Sequence, residues 1–525
     1  MIDSVLKGRN IKQAIRQTVS NKGSSGVDKM PVSELKSYFE NHQERLFTNI
    51  INHVYKPQAI RGVEIPKPNG KTRLLGVPTV VDRVLQQAVS QAIMPLFEIE
   101  FHPNSYGFRP RKSAHQALLQ SKKYIEEGYK HIVEIDLKNF FDEVDHSILL
   151  ELIYRKVKCP TTLRLIRLWL RTPIVINGKL TKRRKGTPQG SPPSPLLSNI
   201  LLHELDKYLA LKGQKFVRYA DDFSIYTKGK SRAEEIRNQV VKFLKDKLKL
   251  PINAEKSGIR RPSSFQILGH GFTSSFEKGA KGKFQFIVLE KSWKKLKASI
   301  KEITRKTYPM SFDERVTKLK RLQRGWINYF RLGNIGSKLK TIDSWVRNRL
   351  RYCIWTDWKK PERKRKNLIR LGVPKGKAYA CSRTRKGGWA IAQSPILTTT
   401  ITLERLGKRG CECMNDDYEK VSPMFNEPLY PDKVGTQWCE RLSLPCFAWW
   451  GRLLDYLLAF FVIILFFVAY KINSNIIWVN YSKVSVAPFF SSNINSNVNA
   501  QLLNSFEINI HIINFYCEVY SFSVK

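Results

Sequence analysis

From residue 11 to about 60 the apolar positions recur at helical spacing, with a Gly/Ser break from Asn21 to Gly26 and a second helical stretch after Val27-Asp28. The period then changes. An apolar run into Ile65, a Pro-Asn-Gly turn inside Pro66-Lys67-Pro68-Asn69-Gly70-Lys71-Thr72-Arg73 and a second apolar run predict a hairpin studded with cations. Asp82 to Phe97 returns to helical spacing. His131 to Asp136 reads as a short strand with an acid at its end, and Phe216 to Tyr226 as strand, tight turn and strand around Tyr219-Ala220-Asp221-Asp222. Strands mixed with helices predict an α+β catalytic domain.

From Lys291 to about Arg351 the pattern becomes long, basic, amphipathic helices without a convincing strand. A domain change is therefore placed near residue 290. Beyond Leu406 the composition shifts to Asn, Ile, Phe, Ser and Tyr, and Leu457 to Tyr470 is continuously apolar. The division that follows is a helical extension over 1–60, a catalytic region over 61–290, a helical region over 291–406 and an atypical, poorly folded tail over 407–525. The apolar run of 14 falls short of the roughly 20 residues that span a bilayer, so a membrane is not an expected partner. Met1-Ile2-Asp3-Ser4-Val5-Leu6-Lys7 lacks the apolar core of a signal peptide, which makes a cytoplasmic location the default.

Charge narrows the class further. The 525 residues carry 90 Lys and Arg against 44 Asp and Glu, a formal charge of +46, far beyond an ordinary metabolic enzyme. Nine basic and ten acidic residues follow Leu406, so the whole surplus lies before it. There the cations alternate with aromatic and apolar residues, as in Trp293-Lys294-Lys295-Leu296-Lys297 and Arg324-Gly325-Trp326-Ile327-Asn328-Tyr329-Phe330. A folded basic surface meeting a polyanion is the expectation. The eight cysteines are scattered, and Cys411 and Cys413 stand one residue apart where zinc ribbons need two to four, so neither a metal finger nor a disulfide framework is read.

Nucleotidyl transfer to a primer 3′-OH uses two divalent cations held by carboxylates from different strands. Magnesium keeps waters and substrate phosphates among its ligands, so two or three acids suffice. Asp136 at a strand end and Asp221-Asp222 in a hairpin turn meet that need, although either alone reads more readily as a turn former or a solvated pair. The series around them is more specific. Asn21 to Asp28, Tyr55-Lys56-Pro57 through Arg73-Leu74-Leu75-Gly76-Val77-Pro78, Asn104-Ser105-Tyr106-Gly107-Phe108-Arg109-Pro110 and Ile135-Asp136-Leu137-Lys138-Asn139-Phe140-Phe141-Asp142 come first. Gly186-Thr187-Pro188-Gln189-Gly190, Tyr219-Ala220-Asp221-Asp222, Asn253-Ala254-Glu255-Lys256 and Phe265-Gln266-Ile267-Leu268-Gly269 follow. In this order they resemble the reverse transcriptases encoded by group II introns, over residues 20 to 406.

The resemblance implies a right-hand polymerase, fingers and palm, followed by an all-α thumb and maturase region. It implies that Asp136, Asp221 and Asp222 hold two Mg²⁺ ions and that Lys67 and Arg73 meet the triphosphate. Phe141 would lie under the incoming sugar and exclude a 2′-OH, while Gln189 lines the nucleotide pocket and Gly190 lets the backbone approach. The implied partners are dNTPs, an RNA template with a DNA primer, and the intron RNA whose splicing a maturase assists. Against these stand plainer readings: Phe141 as core, Lys67 and Arg73 as a solvated hairpin face, Gly190 as a turn. Ser191-Pro192-Pro193-Ser194-Pro195 is richer in proline than the family pattern, and prolines cannot donate backbone hydrogen bonds.

Gly325-Trp326-Ile327-Asn328-Tyr329-Phe330 and Gly387-Gly388-Trp389 with Ser394-Pro395-Ile396 resemble the maturase region of the same family. Trp326 and Tyr329 are expected in its helical core. RNA binding then falls to Lys294, Lys295, Arg321, Arg324, Arg347 and Arg351, phosphates supplying the affinity. A splicing-only maturase without polymerase activity is the principal rival, and the intact Asp136, Asp221 and Asp222 argue against it. A retron-type or diversity-generating reverse transcriptase is the other, and the elements at Trp326 and Trp389 argue against that.

Overall fold

The computed structural model describes residues 1–66, 70, 72–274 and 282–422. Three helices come first, α1 (Ile2–Leu6), α2 (Gly8–Ser20) and α3 (Leu35–Ile51), followed by the hairpin β1 (Ile60–Pro66) and β2 (Thr72–Val77). Next are α4 (Val80–Glu98) and α5 (Ala114–Glu126), then β3 (His131–Leu137), α6 (Phe140–Glu143), α7 (His146–Tyr154) and α8 (Pro160–Arg171). The short hairpin β4 (Ile174–Ile176) and β5 (Lys179–Thr181) leads to α9 (Ser194–Leu211). After it stand β6 (Lys215–Tyr219), β7 (Asp222–Thr227), α10 (Lys230–Asp246) and β8 (Ile252–Arg260).

Side-chain caps fix several of these boundaries. Thr79 accepts the backbone N–H of Asp82 at the start of α4, Ser113 and Gln116 form a reciprocal capping box on α5, and Asp145 accepts two N–H groups of α7. The proline run that departs from the family pattern has a local role of the same kind. Pro193 precedes α9 and Pro195 falls within its first turn, where a missing N–H leaves no helical bond unmade.

The central sheet has the order β6-β7-β3-β8. β3 is its inner strand, antiparallel to β7 on one side and to β8 on the other, and it is buried along most of its length. α9 and α10 pack their apolar faces beneath it, so Leu201, Leu205, Phe216, Ile225, Ile236 and Val240 share one core with α2 and α4. A second sheet, β2-β1-β4-β5, is formed because β4 adds in parallel to β1. The β4–β5 hairpin had no signal in the sequence pattern, its strands being three residues each.

A three-stranded sheet of β9 (Gln266–Ile267), β10 (His270–Ser274) and β11 (Phe284–Val288) leads into helices only. These are α11 (Glu290–Ile303), α12 (Phe312–Phe330), α13 (Gly336–Asp357), α14 (Pro361–Arg370), α15 (Lys375–Ser382), α16 (Gly388–Ala392), α17 (Pro395–Thr400), α18 (Leu403–Lys408) and α19 (Met414–Val421). They enclose a separate core built on Trp293, Leu319, Ile327, Leu339, Val346 and Leu397.

The expected boundary at 406 does not coincide with an edge of this layer. Met414 is buried in the helical core, Asp343 accepts the N–H groups of Met414 and Asn415 at 2.9 and 3.0 Å, and Arg409 pairs with Asp313 at 2.9 Å. Residues 407–422 are therefore folded onto α12 and α13, held by a carboxylate on a helix N-terminus that composition does not reveal. The run Leu457 to Tyr470 lies outside the described residues. Among the described residues no helix is long and apolar enough to cross a membrane.

Candidate active site

Tyr219 pairs with Asp222 across the β6–β7 hairpin, leaving Ala220 and Asp221 as its two-residue turn. Ala220 is left-handed, with φ +59. That conformation is disfavoured for a residue with a Cβ and persists here because surrounding groups fix it. Arg218, wholly buried, donates to the Ala220 carbonyl at 3.0 Å and to Asn199 Oδ1 at 2.9 Å, and its Nε donates to Asp206 Oδ1 at 2.8 Å. Asp206 is wholly buried as well. Gly107 closes the turn from the other side, because a Cβ there would lie 2.2 Å from the Ala220 nitrogen. The position demands glycine for close approach.

Asp136 stands on the neighbouring strand. Ile135 pairs with Phe223, so Asp136 falls level with Asp222 on β7. Glu134, Asp136, Asp222 and Ser224 line one small cleft together with Gln266, Ile267 and Leu268. Asn253 on β8 donates to Asp136 Oδ2 at 3.0 Å, Lys256 lies 3.5 Å from the same oxygen, and the Asp136 N–H donates to Ser257 Oγ at 3.0 Å. The Asn253 bond and the Lys256 ion pair set the carboxylate's orientation.

The acids disturb one another. The surrounding protein first, then the negative charges of Asp221, Asp136 and Glu134, push the Asp222 carboxyl up to about 6, although its side chain still has an open face to solvent. Burial likewise raises Asp221, with Arg73 opposing the shift, and it raises Glu134. Carboxylates held this close lower their energy by sharing a cation. Among the described residues no three His, Cys, Asp or Glu side chains surround a single point on their own. A divalent ion that takes part of its shell from phosphate oxygens fits such an open donor set; one caged wholly by protein does not.

Beside the acids, β2 and the loop before α9 come together. Arg73 Nε donates to Gln189 Oε1, and the Gly76 N–H donates to the Gln189 carbonyl at 2.8 Å. Gly190 has φ +106, and a Cβ there would lie 2.9 Å from the Gly76 carbonyl oxygen. Half-buried Phe141 packs edge-on against Phe140, with its carbonyl accepting the Thr187 N–H at 2.6 Å. Arg73, Phe141, Gln189 and Gly190 thus share one neighbourhood. Lys67 lies outside the described residues.

The six cations expected to meet RNA divide. Lys294 and Lys295 on α11 and Arg321 on α12 are exposed and form no ion pair among the described residues. Arg324 is exposed and paired with Glu412 at 3.0 Å, and Arg347 is half-buried. Arg351 is not a surface cation. It is 7% exposed and donates to the Ile401 carbonyl at 3.0 Å and to Asn348 Oδ1 at 2.8 Å, so it ties α13 to α17. Trp326 packs between Trp293 and Phe330, as expected of a core ring. Tyr329 departs from the expectation: it remains 38% exposed, its hydroxyl donating to the Leu268 carbonyl at 3.1 Å.

Two features escaped the sequence reading. The buried Arg218–Asp206 pair had a faint signal, a lone cation inside the apolar strand Phe216-Val217-Arg218-Tyr219. The cluster on α14, α15 and the turn after them had a plain one in Lys359-Lys360-Pro361-Glu362-Arg363-Lys364-Arg365-Lys366. Arg363, Lys366, Arg370, Lys375, Lys377, Arg383, Arg385 and Lys386 are all exposed there.

The family model of reverse transcriptase (RNA-dependent DNA polymerase) matches residues 65–272, and that of the group II intron maturase-specific domain matches residues 293–372. Protein YkfC of Escherichia coli (strain K12) is 32% identical over 301 residues, covering 50% of this chain and 79% of that protein. The group II intron-encoded protein LtrA of Lactococcus lactis subsp. cremoris is 30% identical over 315 residues, 48% of this chain and 52% of the relative, so the chain spans about half the length of LtrA. A partial Cas6-RT-Cas1–Cas2 complex contains a chain 27% identical, with a TM-score of 0.31 over 47% of this chain and 42% of that one.

Proposed function

This chain belongs to the group II intron-encoded reverse transcriptases with a maturase region, a class of RNA-directed DNA polymerase, and on that premise we propose how its residues divide the work. The chain copies RNA into DNA by adding dNTPs to a primer 3′-OH, and it binds its intron RNA to promote splicing and mobility. The observation that carries this reading is the meeting of Asp136 on β3 with Asp221 and Asp222 at the β6–β7 turn, where burial first and then the neighbouring negative charges raise Asp222.

Asp136, Asp221 and Asp222 would hold two Mg²⁺ ions, which when bound activate the attacking oxygen and stabilise the departing pyrophosphate. Asn253 and Lys256 keep Asp136 oriented toward that task. Arg73 neutralises charge on the triphosphate, and Gln189, bonded to it, sets the depth at which the nucleotide sits. The Phe141 ring occupies the space a 2′-OH would need. Lys294, Lys295 and Arg321 on the helical surface, with the basic faces of α14 and α15, bind the phosphates of structured intron RNA.

The direct test is extension of a DNA primer on an RNA template with Mg²⁺, wild type against Asp221→Ala. Extension by the wild type that is abolished in the variant supports the reading. Tight binding of intron RNA by a wild type that never extends would move the assignment to a splicing-only maturase.

A further inference from the structure

The segment Asn104–Pro110 runs along the β6 edge of the central sheet. The Tyr106 N–H donates to the Arg218 carbonyl at 2.8 Å and the Arg218 N–H to the Asn104 carbonyl at 2.9 Å. The segment reaches the Asp221 end of the sheet where Gly107 presses on Ala220. Phe108 comes next, and two things about it run against folding alone. Its φ is +57, a left-handed conformation that is an outlier for a bulky side chain. The residue is 51% exposed, and its ring makes no aromatic or cation–π contact among the described residues.

The backbone on both sides is fixed. Asn199 donates to the Gly107 carbonyl at 2.9 Å, while Arg109 bonds the Glu98 carboxylate and the carbonyls of His102 and Ser105 at 2.7 and 2.8 Å. Glycine at 108 would satisfy this path with less strain and no exposed ring. A residue that costs stability twice, one Cα step of about 3.8 Å beyond the glycine packed on the Asp221 turn, is placed for contact with something that arrives.

We propose that Phe108 binds nucleic acid, its ring stacking on a nucleobase of the template strand beside the nascent base pair. This rests on the polymerase reading above. The strand follows from the order of the sheet: Asp136 lies on the β3 side of the Ala220–Asp221 turn and Phe108 on the β6 side. The primer end and triphosphate are drawn to the carboxylates, which leaves the β6 flank to the opposite strand. Stacking tolerates any base, as a template position requires.

The test uses the full chain and its Phe108→Gly and Phe108→Tyr variants, with 2-aminopurine placed opposite the primer terminus in the RNA template or, separately, in the primer. The glycine variant is expected to melt at a higher temperature yet bind primer–template about tenfold more weakly. The tyrosine variant should keep wild-type affinity, and template 2-aminopurine should be quenched by the wild type and not by the glycine variant. A glycine variant that binds and extends as the wild type does, or quenching confined to the primer probe, overturns the proposal. A wild type that binds but never extends strikes the polymerase reading instead, and the quenching still decides the fate of the stacking.

Discussion

The guanidinium of Arg73 donates to the side-chain oxygen of Gln189, joining residues 116 positions apart in the chain. One comes from the β1–β2 hairpin and the other from the loop before α9, and the Gly76–Gln189 backbone bond beneath them fixes the same register. Their separation is therefore set by main-chain hydrogen bonds. If the two side chains line the nucleotide pocket as proposed, that wall is formed before any ligand enters, which lowers the ordering cost of binding.

If the pair works as one unit on the nucleotide, Arg73→Ala and Gln189→Ala should each raise the KM for dNTP, Arg73→Ala by roughly 10- to 100-fold, as removal of a charge-assisted hydrogen bond predicts. The double variant should cost less than the product of the two singles. Steady-state kinetics on all four proteins checks this, and strict multiplicativity would mean that the two side chains act separately.

Phe141 is half-buried and backed by Phe140, so its ring has little room to retreat. Phe141→Ala should admit ribonucleotides, lowering the preference for dNTP over rNTP by on the order of 100-fold with dNTP incorporation largely kept. Competition between dCTP and CTP on one template position measures the ratio.

Asp222 gives the site a pH dependence. Its folded carboxyl is raised from 3.8 to about 6 by surrounding protein and by Asp221, Asp136 and Glu134. A carboxyl raised in the fold binds its proton more tightly there than in the unfolded chain. It therefore favours the fold at low pH, and that contribution is lost as pH climbs from about 4 through about 6. Without metal, Asp222→Asn should flatten this part of the stability–pH curve and raise the melting temperature at pH 7.5. Mg²⁺ should stabilise the wild type more than the variant, and thermal melts at pH 4.5 and 7.5, with and without Mg²⁺, test both.

Arg218 and Asp206 are each 0% exposed, which makes removal of one partner severe. Arg218→Met or Asp206→Leu alone should destabilise by about 3–5 kcal/mol, because a buried charge is left without its counterion. The double variant should regain much of that stability in urea titrations. It should not regain extension activity, since the bonds from Arg218 to Ala220 and Asn199 that hold the Asp221 turn are still missing. Full recovery of both would reduce the pair to a packing role.

The β6–β7 hairpin, the long helices from 290 and the grouping of Asp136 with Asp221 and Asp222 were legible because period, turn residues and motif order coincide there. The β4–β5 hairpin was not, since a three-residue strand has no period to detect. The folding of residues 407–422 escaped because it depends on single long-range bonds such as Asp343 to Met414, which leave no local pattern. Tyr329 was expected in the core of a packed helical region, yet it stays 38% exposed and its hydroxyl reaches the Leu268 carbonyl.

Arg351 shows the same limit from the side of charge. In the sequence it is one more cation on a basic helix, equivalent to Lys294, Lys295 and Arg321; in the fold it is buried and bonded to the Ile401 carbonyl and Asn348. Salt dependence separates the two kinds. Each phosphate that the protein ceases to neutralise lowers the slope of log K against log salt by about 0.7–0.9, so Lys294→Ala, Lys295→Ala and Arg321→Ala should each weaken RNA binding and flatten that slope. Arg351→Ala should leave the slope of the folded protein unchanged and instead destabilise it by about 2 kcal/mol, through the carbonyl and amide groups it abandons. Filter binding between 50 and 300 mM salt, beside a urea titration of each variant, gives both readouts. A flattened slope for Arg351→Ala at wild-type stability would return that residue to the RNA surface.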